Sequence, residues 1–197
     1  MNKLIIAKED KNKIMRKDLQ ESLKRGYIDP FQLSTFQRIM LTTDGTLTEI
    51  MEAYLLEKIQ VAKLSQKFIT LEKGINPLNL RKGSNVIERK ILLQGEVSGT
   101  NFVYAESIIV PERFDKKVQE ELEKSKKPIG QLWLEYRIET FREIIASGKE
   151  PADEVADYFH ISRDQLVLFR TYRVFVNKKP IMMITEKFPE SFFLNTF

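Results

Sequence analysis

Residues 86–110 read VIERKILLQGEVSGTNFVYAESIIV. Val86 to Gln94 and Phe102 to Val110 are dense in β-branched and large apolar residues, and Gly95 to Asn101 between them holds the turn dipeptide Ser98-Gly99. The stretch predicts an antiparallel hairpin. Leu166 to Val176 and Pro180 to Phe188 repeat the pattern across Asn177-Lys178-Lys179 and predict a second one. A further strand starts at Ile59, where Ala62, Leu64, Gln66 and Phe68 share one face while Ile59 and Val61 fall on the other; a bulge would reconcile them.

Helical spacing fills the intervals. Residues 11–25 carry Ile14, Met15, Leu19 and Leu23 among charges, with Gly26 placed for a left-handed cap. Ser34 can cap a short helix through Met40, and Thr46 with Glu49 forms a capping box ahead of Leu47, Ile50, Met51 and Tyr54. Further helices are expected after Pro111, after Pro128 and over Ala152 to Phe159. Paired strands separated by helices predict an α+β fold, an antiparallel sheet covered by helices on one face. All 197 residues are expected to form one domain, with residues 1–29 as a helical N-terminal extension.

Composition narrows the chemistry. With no cysteine and one histidine, His160, the chain cannot build disulfides, thiolate nucleophiles or multi-histidine metal sites. Its 32 Lys and Arg against 28 Asp and Glu are interleaved, without the concentrated basic stripe that nucleic-acid binding wants. The apolar run Leu4 to Ala7 is too short for a signal peptide, and no stretch is long enough to span a membrane, so a cytoplasmic protein without nucleic-acid or membrane partners is expected. Nothing in the sequence specifies an oligomer. Carboxylates, arginines and hydroxyls remain, a set suited to acid/base work on an anionic organic molecule.

Three charges fall among apolar residues on their strand faces. Arg89 shares a face with Ile87, Ile91 and Leu93; Glu106 with Tyr104 and Ile108; Glu186 with Met182, Ile184 and Phe188. Burying a charge is costly unless it is paired or serves a polar ligand. If the hairpin turns near Val97-Ser98, Arg89 lies opposite Glu106, and the two could be a structural ion pair. The other reading takes Arg89 as a fork for a substrate carboxylate and Glu186, with no obvious partner, as an acid or base whose pKa is raised by burial. His160 reads as a helix-end residue, and the glycines match no phosphate-loop spacing.

These residues resemble the chorismate pyruvate-lyases. Glu88 to Leu93, running through a turn to Ile109-Val110-Pro111, is similar to that family's arginine-bearing hairpin. Pro128-Ile129-Gly130 resembles its Pro-Leu-Gly step, and Lys179-Pro180-Ile181 through Thr185-Glu186 its terminal strand. Leu33 to Gln66, with LSTFQR and then TTDGT, resembles the archaeal and cyanobacterial branch, and the likeness spans about residues 30–193. The resemblance implies a sheet of about six strands with flanking helices, and a pocket beneath helical flaps. It further implies conversion of chorismate to 4-hydroxybenzoate and pyruvate with no metal or organic cofactor. By position, Arg89 would bind the aromatic carboxylate, Glu186 would face the ring oxygen at the other end, Ile129 beside Gly130 would offer its backbone, and Leu47 would line the pocket. Glu106 stands where bacterial members tend to carry arginine, so a second cation for the substrate's other carboxylate is missing. The fold also resembles effector-binding domains of bacterial transcription regulators, which makes a non-catalytic aromatic-acid binding protein the alternative. Turnover of chorismate separates the two, and absence of any aromatic-acid binding would point to a purely structural protein.

Overall fold

A computed structural model describes residues 17–124, 133 and 135–194. Six strands, β1 (Ile59–Thr70), β2 (Asn85–Gly95), β3 (Asn101–Ile109), β4 (Phe141–Pro151), β5 (Leu166–Val176) and β6 (Lys179–Pro189), form one sheet in the order β1-β2-β3-β6-β5-β4. Every neighbouring pair is antiparallel. The helices are α1 (Lys17–Arg25), α2 (Thr35–Thr42), α3 (Leu47–Leu55), α4 (Lys116–Lys124) and the short α5 (Ala156–Phe159).

Both hairpins form where turn chemistry demands them. Asn177 and Lys178 take φ of 50° and 65°, the pair of left-handed residues that lets a two-residue loop follow the strand twist. In the β2–β3 turn Gly99 takes φ +67°, and the Glu57 carboxylate accepts the Val97 and Ser98 backbone N–H groups at 3.2 and 3.0 Å. Those bonds to Ser98 hold the Glu57 carboxyl below its ordinary range.

Bulges set the registers. In β1 the pairing with β2 shifts between Lys63 and Ser65, so Leu64 is the extra residue. Ile59 and Val61 before it thereby face the same side as Gln66 and Phe68 after it. In the β2–β3 hairpin, Gln94 pairs with Asn101 at the turn, but Leu93 pairs with Val103 beyond it. Phe102 is the bulged residue. Extending the turn register would set Arg89 against Glu106; the slip at Phe102 sets it against Ser107 and leaves Glu106 opposite Lys90. The Arg89–Glu106 ion pair, one of the two readings of these charges, therefore does not form.

Helices cover more than one face. On the inward face, Met40, Leu41, Leu47 and Met51 of α2 and α3 pack on Ile59, Leu93 and Val103 of the sheet, while Val118 of α4 and Trp133 pack on Ile109 and Met182. On the outward face, Val155, Ala156 and Phe159 cover Leu92, Tyr104 and Val167, and Leu71, Leu78 and Leu80 of the β1–β2 loop cover Val86. The expectation of helices on one face alone is thus corrected.

Two caps also differ from expectation. The capping box lies at Ser34 and Gln37, with Gln37 N on Ser34 Oγ at 3.1 Å and Ser34 N on Gln37 Oε1 at 3.0 Å; Thr46 makes no side-chain cap. Tyr27, not Gly26, takes the left-handed conformation after α1, at φ 53°. Gly26 serves close approach instead: a Cβ there would sit 1.9 Å from the Ser147 carbonyl oxygen of β4.

Candidate active site

Cross-strand register assembles the site from rows of inward residues. One row runs Arg89, Ser107, Ile184, Tyr172, Ile144 across β2, β3, β6, β5 and β4; the next runs Ile91, Ala105, Glu186, Arg170, Ser147. Ala105 and Ser107 are the small residues of β3, flanked on the same face by Val103 and Ile109. Their missing bulk leaves a cavity of about 360 Å³ between the middle of the sheet and the start of α3, within the size range that encloses a small organic molecule.

Arg89 is 2% exposed and lines that cavity. Burial pulls its guanidinium pKa down from the ordinary value, since the charged form loses hydration, so the site favours an anion beside it. The Ser107 hydroxyl, on the facing position of β3, lines the same wall.

Glu186 has partners that adjacent-residue reading could not supply. Arg170 Nε donates to its Oε2 at 2.6 Å and Tyr172 Oη to its Oε1 at 2.9 Å. Arg170 Nη1 in turn donates to the Thr43 carbonyl at 2.8 Å, and its guanidinium lies 5.1 Å from the Tyr172 ring centroid. Burial, followed by the Glu186 carboxylate, pushes the Tyr172 phenol above its ordinary range, so it stays a donor. The reading of Glu186 as an unpartnered carboxyl is corrected: both oxygens accept hydrogen bonds, one of them from a guanidinium.

Leu47, first residue of α3, is buried against the cavity, and Trp133 lines another part of it while stacking on Phe114 at 5.6 Å. Ile129 and Gly130 lie outside the described residues. Glu106 belongs to the outward face, where Tyr104 Oη donates to it at 2.5 Å and Lys90 Nζ lies 3.5 Å away. His160 is exposed and ends α5 in the left-handed region at φ 55°. Among the described residues no group of three or more His, Asp or Glu is placed to hold a metal ion.

A cationic cavity residue escaped the sequence reading. Arg142 of β4 lines the cavity, donates through Nη1 to the Gly45 carbonyl ahead of α3, and lies 5.7 Å from the Tyr172 ring centroid. Its signal was weak because β4 itself was not foreseen: the bulge between Ile144 and Ala146 breaks the alternation.

Residues 41–196 match the family profile described as Rv2949c-like chorismate pyruvate-lyase. The chain belongs to this family. Among its relatives, the chorismate pyruvate-lyase of Mycobacterium leprae (strain TN) is 33% identical over 161 residues, covering 81% of this chain and 76% of that protein. The chorismate pyruvate-lyase of Mycobacterium tuberculosis (strain CDC 1551 / Oshkosh) is 29% identical over 161 residues, covering 79% and 80%. Among solved structures, the effector domain of PhnF from Mycobacterium smegmatis superposes with a TM-score of 0.58 at 11% identity, covering 75% of this chain and 90% of that one. That likeness establishes a shared fold. Among the described residues, no helix is long and apolar enough to cross a membrane.

Proposed function

We propose that this protein eliminates pyruvate from chorismate to give 4-hydroxybenzoate. The observation that carries the reading is a buried cation, Arg89, and a buried carboxylate, Glu186, on adjacent cross-strand rows around one cavity floored by Ala105 and Ser107. Their strands are separated only by β3, so their backbones stand about 10 Å apart across the sheet. A para-substituted ring acid can span such a gap between its carboxylate and its opposite oxygen.

The chemistry asks little of the protein beyond placement. The ring carbon bearing the hydroxyl loses its proton, those electrons form the last ring double bond, and the neighbouring carbon–oxygen bond breaks. The departing enolpyruvate takes up a proton on its methylene carbon and becomes pyruvate. In this reading Arg89 grips the ring carboxylate, and Glu186, oriented by Arg170 and Tyr172, accepts from the ring hydroxyl or takes the proton beside it. Leu47 and Ile91 supply apolar walls for the ring. Nothing in this sequence of steps requires a cofactor.

Incubating the purified protein with chorismate and following both products by mass tests the reading. Equal amounts of pyruvate and 4-hydroxybenzoate, above the spontaneous rate, are expected. Saturable 4-hydroxybenzoate binding without turnover would replace it with the sensor reading, a binding protein of the kind the shared effector-domain fold provides.

A further inference from the structure

We infer that Arg142 binds the second carboxylate of the substrate, the one carried by the enolpyruvyl arm, a role that position 106 on the outward face could not fill. The inference rests on the lyase reading of the cavity. Chorismate carries one carboxylate on its ring and another at the end of an arm two ring carbons away, and Arg89 can neutralise one. The cavity receives Arg89 from β2 and Arg142 from β4, with three strands between them, so its two cations approach from opposite sides.

Charge accounting separates Arg142 from the other arginines of β4 and β5. Arg170 is matched by Glu186 at 2.6 Å, and Arg173 by Glu143 at 2.7 Å. Among the described residues no carboxylate lies within ion-pair distance of Arg142. The Gly45 carbonyl engages Nη1, and the face of Tyr172 lies beside the guanidinium; a guanidinium has five N–H donors, so a forked pair remains for a carboxylate. These two neighbours also fix the plane of the group before ligand arrives, which lowers the ordering cost of binding.

A dicarboxylate substrate and a monocarboxylate product divide the energetics. Only the substrate and the departing pyruvate carry the arm that Arg142 would meet. Arg142→Gln is therefore expected to lower kcat/KM for chorismate on the order of 30- to 300-fold, the range for losing one partner of a charge pair that the bound ligand covers, while the inhibition constant of 4-hydroxybenzoate moves by less than about threefold. Arg142→Lys keeps the charge without the fork and is expected to fall between parent and Gln.

Were Arg142 merely to hold the loop before α3 through Gly45, substrate and product would weaken together, and that parallel loss overturns the inference. So does an unchanged kcat/KM. Should the Gln variant fail to fold, the Lys variant alone decides: a selective loss for chorismate supports the assignment, and a parallel loss or none removes it. If the parent releases no pyruvate from chorismate, the lyase reading fails, and the inference is read from affinities instead. Tighter binding of chorismate than of 4-hydroxybenzoate, with the margin lost in the Arg142 variants, supports it, and an unchanged margin overturns it.

Discussion

On the inward face, Arg170 and Glu186 stand opposite each other on β5 and β6 with side chains 1% and 8% exposed; on the outward face, Lys90 and Glu106 stand opposite each other on β2 and β3 at 38% and 43%. The cross-strand geometry is the same. Water separates their meanings. An exposed pair gains little because solvent already stabilises each ion, and it contributes at most about 1 kcal/mol. A buried pair has lost that hydration, and its mutual attraction with added hydrogen bonds roughly offsets the loss, so a well-packed apolar replacement would serve stability as well. Retaining ions on the inward face therefore asks for a purpose beyond folding, and the cavity beside them supplies one.

The largest expected effect breaks the inward pair from one side only. Arg170→Ala leaves the Glu186 carboxylate buried with Tyr172 alone and also releases the Thr43 carbonyl. A loss of roughly 3–5 kcal/mol in urea denaturation is expected. Arg170→Met combined with Glu186→Leu removes both charges and should recover most of that stability, yet carry no chorismate turnover. A single variant costing less than about 1 kcal/mol would show that the inward pair behaves like the outward one.

How much of this was legible from the amino acids follows the range of the forces involved. The two hairpins were, because Ser98-Gly99 and Asn177-Lys178 act locally and the flanking alternation is regular. The parity of Arg89 with Ile91 and of Glu186 with Ile184 was legible for the same reason, and both pairs line the cavity. Which face of β3 turns inward was not: Tyr104 and Ile108 on one side look as apolar as Val103 and Ile109 on the other. The bulge at Phe102 then moved the register by one residue and exchanged Ser107 for Glu106 as the neighbour of Arg89. Strand β4 was hidden because its alternation breaks at Ile145 and its identity rests on long-range pairing with β5, which also hid Arg142. Likewise the Arg170 and Tyr172 partners of Glu186 come from a neighbouring strand, a contact no local pattern announces.

Adjacent residues of β2 sharpen the comparison. Arg89 points into the cavity and Lys90 to the outward face, where it meets Glu106. Arg89→Ala is expected to weaken 4-hydroxybenzoate binding by roughly 2–4 kcal/mol in calorimetry, as for removal of a buried charged hydrogen-bond partner. Lys90→Ala should leave that affinity within twofold. Equal effects of the two substitutions would mean that net charge, not the fork at position 89, attracts the ligand.

Two tyrosines carry the contrast into alkaline solution. Tyr172 inside and Tyr104 on the outward face both have phenols pushed above their ordinary range, by burial first and then by the carboxylates of Glu186 and Glu106. A raised folded-state value means the folded chain holds the proton more tightly than the unfolded chain. The stabilisation is complete below the unfolded value of about 10 and is lost as pH rises above it. Tyr172→Phe should cost about 1 kcal/mol at neutral pH through the lost bond to Glu186. It should also reduce the downward slope of stability above pH 10 by up to about 1.4 kcal/mol per pH unit, one proton's share. An unchanged slope would show that Tyr172 ionises as readily folded as unfolded.

Glu106 gives the smallest expected effect and the most direct check on the register. Were it opposite Arg89, it would compete with any anionic ligand for the guanidinium, and Glu106→Gln would tighten 4-hydroxybenzoate binding. Its place on the outward face removes that competition, because the sheet lies between its carboxylate and the cavity, and its own partners are Tyr104 and Lys90. Glutamine keeps an acceptor for the Tyr104 hydroxyl and loses only the half-exposed ion pair, so stability should change by less than about 1 kcal/mol. Product affinity should stay within twofold in 0.1 M salt and above, since an exposed charge is screened beyond about 10 Å there. A tenfold gain in affinity would place the carboxylate beside Arg89 and reverse the assignment of faces on β3, and with it the role of Ser107 as the wall of the site.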